Sequence, residues 1–84
     1  MRRYAYSYTL RACRQRWRMP IPLREQFDQV VRELAERPAA ADRERALCVA
    51  DVGRVGSVYY QVLGETGQLV VAECVLSSAA AEAA

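Results

Sequence analysis

The sequence predicts a small α+β domain, with one helix packed on a mostly antiparallel four-stranded sheet in the order β-α-β-β-β. Three observations point there: a two-residue alternation near the N-terminus, one amphipathic stripe bounded by prolines, and a β-rich second half punctuated by glycines. With 84 residues there is room for a single core. Residues 1–76 are expected to form that domain, and 77–84 a flexible Ala-rich tail.

Each element has its own signal. Tyr4, Tyr6, Tyr8, Leu10 and Ala12 alternate with Ala5, Ser7, Thr9, Arg11 and Cys13. Period two with aromatics and Thr predicts a strand over 4–13, ending near Trp17 because Pro20 and Pro22 cannot donate to a central ladder. Pro22 suits a first helical turn, and Leu23, Phe27, Val30, Val31 and Leu34 then form a one-sided stripe. This predicts a helix over about residues 22–37, stopped by Pro38. Residues 38–44 read as a linker or a short second helix. Ala46–Val52, Val55–Leu63 and Gln68–Leu76 read as strands, with Gly64-Glu65-Thr66-Gly67 turning the last two into a hairpin. Gly56 marks a bulge or a close backbone approach.

The last strands are apolar on both sides. Val70, Ala72, Cys74 and Leu76 alternate with Leu69, Val71 and Val75, and Val58, Tyr60 and Val62 oppose Tyr59 and Leu63. One helix covers one sheet face, so a homodimer or an obligate protein partner is expected on the second.

Composition removes much chemistry. The chain has no His, Lys or Asn, and all 12 basic residues are Arg. The most used general base, the Schiff-base nucleophile and the commonest metal ligand are therefore missing. Cys13, Cys48 and Cys74 are odd in number and widely spaced, which favours buried reduced thiols over a disulfide framework, a nucleophile or a metal site. Glu25 with Asp28, and Glu33 with Glu36, read as solvated helix-surface pairs. The glycines lack phosphate-loop spacing. No enzyme activity, metal or cofactor is expected.

Net charge is +2 but unevenly spread. Residues 1–24 hold seven Arg, Arg2 and Arg3 among them, and no acid; residues 25–84 hold five Arg against ten acids. The basic end is expected to meet an acidic protein or nucleic acid, or to fold back on the acidic remainder. Its partner-binding candidates are Arg11, Arg14, Arg16, Trp17 and Arg18, since Arg and Trp dominate interface hot spots. Tyr4, Tyr6 and Tyr8 beside them are candidates for stacking nucleic-acid bases, or for packing against the helix stripe. No run approaches a membrane span, and arginines interrupt any apolar signal core, so a cytoplasmic protein is expected. Abundant Ala, Arg and Val without Lys or Asn suggests GC-rich coding in a bacterium or its mobile elements.

From Val30 to Val75 the pattern is a helical segment, Arg54 and Gly56, the strand Val58-Tyr59-Tyr60-Gln61-Val62-Leu63, and a hairpin strand. It resembles the small ribosome-dependent ribonuclease and gyrase-inhibitor toxins of bacterial toxin–antitoxin pairs. The resemblance implies Arg54, Tyr59 and Tyr60 as RNA-contacting residues. Two features depart from it: Pro20 and Pro22 interrupt the expected helical hairpin, and no basic or aromatic residue follows the last strand, where such ribonucleases keep catalytic side chains. The leading expectation is accordingly a non-enzymatic binding module, an inhibitor or accessory factor comparable to anti-CRISPR proteins in size only. The alternatives are an RNA-directed toxin and a structural homo-oligomer subunit.

Overall fold

The computed structural model describes residues 4–37 and 47–83. The expected linker at 38–44, and Arg2, Arg3 and Ala46, lie outside them. Seven elements follow one another: β1 (Ala5–Tyr8), α1 (Leu10–Trp17), α2 (Ile21–Glu36), β2 (Cys48–Val52), β3 (Gly56–Leu63), β4 (Gln68–Leu76) and α3 (Ser78–Ala83). The four strands form one sheet in the order β1-β4-β3-β2, parallel only between β1 and β4. The α+β class and the mostly antiparallel four-stranded sheet are as the sequence predicts; the number of helices is not.

The first difference is at Thr9. Alternation predicts a strand through Cys13, but β1 stops at Tyr8. The Thr9 hydroxyl accepts from the Ala12 backbone N–H at 3.2 Å and donates to the Ala72 carbonyl at 2.9 Å, so it caps a helix and ties it to the sheet at once. The residues that follow, Leu-Arg-Ala-Cys-Arg-Gln-Arg, are mostly good helix formers, and Ala12 is buried against the core. The second difference is at the prolines. Pro20 occupies the N-cap position of α2 and Pro22 lies in its first turn, where a missing N–H costs nothing. Pro20 ends the short connection between α1 and α2 and Pro22 starts the second helix, so neither interrupts a helix.

Helix α2 buries Phe27, Val31 and Ala35, with Leu23, Val30 and Leu34 partly covered, against one face of the sheet. The sheet contributes Val52, Val58, Tyr60, Val62, Leu69, Val71 and Cys74. In β4 the expected face assignment changes midway. Tyr59 pairs with Glu73 but Tyr60 with Val71, so Ala72 is an extra residue and the strand bulges there. The bulge turns Cys74 to the same core as Leu69 and Val71, against the simple alternation that grouped Cys74 with Val70.

Beyond Val71, β4 loses β1 as a neighbour and gains α1. The Val71 carbonyl accepts from the Thr9 N–H at 2.9 Å, and the Cys74 N–H donates to Gln15 Oε1 at 2.7 Å. A helix side chain thus satisfies a strand edge that would otherwise be open. At the C-terminal end, the expected flexible tail is instead helical over Ser78–Ala83. The Ser77 hydroxyl accepts from Ala80 N–H at 3.2 Å and donates to the Arg54 carbonyl at 3.1 Å.

Candidate nucleic-acid interface

The helical form of residues 10–17 sorts the basic strip by direction. At about 100° per residue, Leu10, Arg11, Arg14 and Arg18 point outward while Ala12 points to the core. Arg11, Arg14 and Arg18, with Leu10 and Gln15, line an open groove of about 470 Å³. Arg11 reaches back to the sheet, its Nε 3.2 Å from Glu73 Oε1, to which Gln15 also donates at 3.5 Å. Arg14 and Arg18 make no ion pair with any described residue.

Arg16 leaves the strip. It turns inward and holds Asp28 of α2 through two bonds, Nε to Oδ1 at 2.8 Å and a terminal amine to Oδ2 at 2.6 Å. The Tyr8 hydroxyl donates to the same Oδ1 at 2.9 Å, and the Arg16 guanidinium lies 5.8 Å from the Tyr8 ring centre. The Arg16 bond holds the Asp28 carboxyl below the usual carboxylate range, and the same bond strengthens the hold of Arg16 on its proton. Burial, with help from Asp28, raises the Tyr8 hydroxyl above its ordinary value. This network fastens β1, α1 and α2 together. Asp28 therefore is no solvated surface acid, as its i,i+3 spacing from Glu25 suggested. No spacing rule links residues 16 and 28 across a turn.

Trp17 stands at the end of α1, 65% exposed. The Arg24 guanidinium of α2 lies over its ring at 4.6 Å from the centre, and one Arg24 amine donates to the Trp17 and Met19 carbonyls at 3.4 and 3.2 Å. Sequence reasoning missed Arg24 as the partner of Trp17; its only sign was a cation seven residues on, past two prolines.

The tyrosine triplet is not an open stacking platform. Tyr6 and Tyr8 pair with Leu69 and Val71, which places them on the helix-covered face. Tyr4 and Tyr8 pack on the core, and Tyr6, at 41% exposed, meets the Tyr8 ring edge-on at 6.3 Å. Of the residues implied by resemblance, Tyr60 belongs to the core, while Tyr59 lies on the opposite, open face beside Glu73. Arg54 is exposed in the turn between β2 and β3. The thiol of Cys74 is pushed up to about 11 by burial, so it is a neutral core group. Among the described residues, no three acidic or Cys side chains gather to hold a metal, and no helix is long and apolar enough to cross a membrane.

No family model and no curated protein sequence matches the chain. Solved structures do. A chain of the toxin–antitoxin complex RelBE2 from Mycobacterium tuberculosis superposes with a TM-score of 0.78 at 15% identity, covering 93% of this chain and 95% of that one. A chain of the intact Escherichia coli RelBE toxin–antitoxin complex gives 0.73 at 19% identity, over 89% of this chain and 98% of that one. The isolated E. coli RelE toxin gives 0.72 at 19% identity, over 95% and 94%. At these identities the likeness is one of fold, and it extends over nearly the whole of each chain. It overturns the leading expectation of an inhibitor or accessory binding module: the architecture is shared with toxin–antitoxin proteins, whereas the analogy behind that expectation rested on size alone.

Proposed function

We propose that the protein is an RNA-directed toxin of a bacterial toxin–antitoxin pair, acting in the cytoplasm. The observation that carries this reading is the fold shared with the isolated RelE toxin across almost all of both chains. The α1 groove supports it from the chemistry side. Arg11, Arg14 and Arg18 converge there, and two of them have no acidic neighbour among the described residues. Unneutralised guanidiniums in a groove suit phosphate oxygens, which they bind as planar forks. Arg54 and Tyr59 extend the candidate surface on the open side of the sheet.

The groups offered are donors, cations, π-faces and the Glu73 carboxylate that Arg11 holds, with no His or Lys anywhere in the chain. We therefore take the action to be occupancy of RNA without cleavage. Induced expression in a bacterial host is expected to arrest growth, and harmless expression would overturn the toxin reading. The folded Arg14→Glu/Arg18→Glu variant should relieve the arrest. In binding measurements it should lower the slope of log affinity against log salt by about 1.4 for single-stranded RNA, if each Arg meets one phosphate. Shortened RNA in reactions with the purified protein would overturn the occupancy mechanism while leaving the toxin reading in place.

We further propose a protein partner on the open sheet face, where Val49 and Val75 are exposed. Two of the similar structures are complexes of toxin with antitoxin, which supports a partner of that kind. In its absence a second copy of the chain is the proposed cover.

A further inference from the structure

Trp17 is the only tryptophan in the chain, and the fold leaves it outside the core. Apolar surface of that size is ordinarily buried, and a ring braced in one orientation at the surface is a binding feature more than a packing one. Arg24 supplies the brace. Its guanidinium covers one face of the indole at 4.6 Å, and its amine is tethered to two backbone carbonyls, so the stack is fixed from within the fold. With Arg24 over one face and the residue 65% exposed, much of Trp17 remains open to a ligand. Arg14 lies one helical turn before Trp17 and Arg18 directly follows it; both are exposed, and neither has an acidic partner among the described residues.

A flat π-face with uncompensated cations one helical turn before it and directly after it in the chain matches a particular ligand chemistry. A phosphate chain neutralises the guanidiniums while an unstacked base lies on the indole. Duplex RNA satisfies the cations but keeps its bases within its own stack. A polyglutamate chain satisfies them too, but carries no ring to lay on the flat face. We infer that Trp17, braced by Arg24 and flanked by Arg14 and Arg18, is a base-stacking platform that selects unpaired RNA. This rests on the reading of the protein as an RNA-directed toxin and narrows its target to single-stranded segments.

The lone tryptophan makes the test direct. A short unpaired RNA of A and C is titrated into the full chain while Trp17 fluorescence and affinity are followed. Saturable quenching is expected, absent with a duplex of the same strand. Trp17→Ala should weaken binding about tenfold, while Trp17→Phe retains most of it. Because Trp17 is exposed, far-UV circular dichroism should match that of the native chain; Arg24→Gln, which removes the brace alone, should show a smaller loss. RNA that binds without quenching, and equally well to Trp17→Ala, would overturn the platform but leave RNA binding intact. Failure to bind any RNA would instead remove the reading on which it rests. Quenching by a polyglutamate peptide that competes as well as RNA would mark the face as a protein-docking surface and also overturn the inference.

Discussion

Asp28 receives three hydrogen bonds from two other elements, and its loss should be felt in β1, α1 and α2 alike. Its side chain and that of Arg16 are 19% and 25% exposed, enough removed from water for an orphaned partner to be costly. Asp28→Asn should destabilise the fold by about 1–3 kcal/mol, read from the midpoint of urea unfolding near neutral pH. The pH dependence has a definite sign. The folded carboxyl titrates below its ordinary value, so its contribution is fully present above about pH 4, where the unfolded group ionises. It is lost as pH falls further and the folded carboxyl takes up its proton. The difference between native protein and Asp28→Asn should therefore be flat near neutrality and shrink in acid. A difference that grew in acid would refute the assignment. Tyr8 acts at the other end of the scale: its raised value means the neutral hydroxyl is the form the fold favours, and that contribution fades only above about pH 10.

At the scale of elements, the hairpin of β2 and β3 is held close to both β4 and α2 by a missing side chain. A Cβ on Gly56 would overlap the Val75 carbonyl and stand 2.8 Å from the tip of the Phe27 ring. The glycine is thus required for space. Gly56→Ala is expected to cost about 1–3 kcal/mol or more, because the obstacle includes backbone, and thermal unfolding would measure it. An unchanged melting temperature would mean that the approach of β3 to α2 is looser than described. Element identity itself was decided by small groups. Thr9, through one hydroxyl, turns an alternating sequence into a helix start, and Ala72 reverses the facing of β4 by one extra residue. Both devices act on backbone hydrogen bonds, to which side-chain periodicity is blind.

The whole molecule presents two unlike surfaces. One is the cationic groove and Trp17 on α1; the other is the open sheet face, with Val49 57% exposed and Val75 39%. A small domain with apolar residues left on a sheet face gains stability when that face is covered. The isolated chain should consequently sediment as a dimer at micromolar concentration, and Val49→Glu should return it to monomer without loss of secondary structure. A native chain that sediments as a monodisperse monomer would refute the dimer. Arg14→Glu/Arg18→Glu, which alters the α1 groove and not the sheet, should in turn leave the oligomeric state unchanged.

Several features were legible in the sequence because they are set by local periodicity and composition. The α+β class, the long helix with its Leu23, Phe27, Val31 and Leu34 stripe, the β3–β4 hairpin and the concentration of Arg near the N-terminus all follow from residues close together in the chain. What the tertiary structure alone decided concerns direction. Whether an arginine points to solvent, as Arg14 and Arg18 do, or closes on an acid twelve residues away, as Arg16 does, depends on how α1 lies against α2 and β4. Likewise Tyr59 and Tyr60 are equivalent as letters and opposite as surfaces. Local preferences fix which elements form, but a side chain's partner depends on how those elements pack, through contacts that no short window of sequence contains.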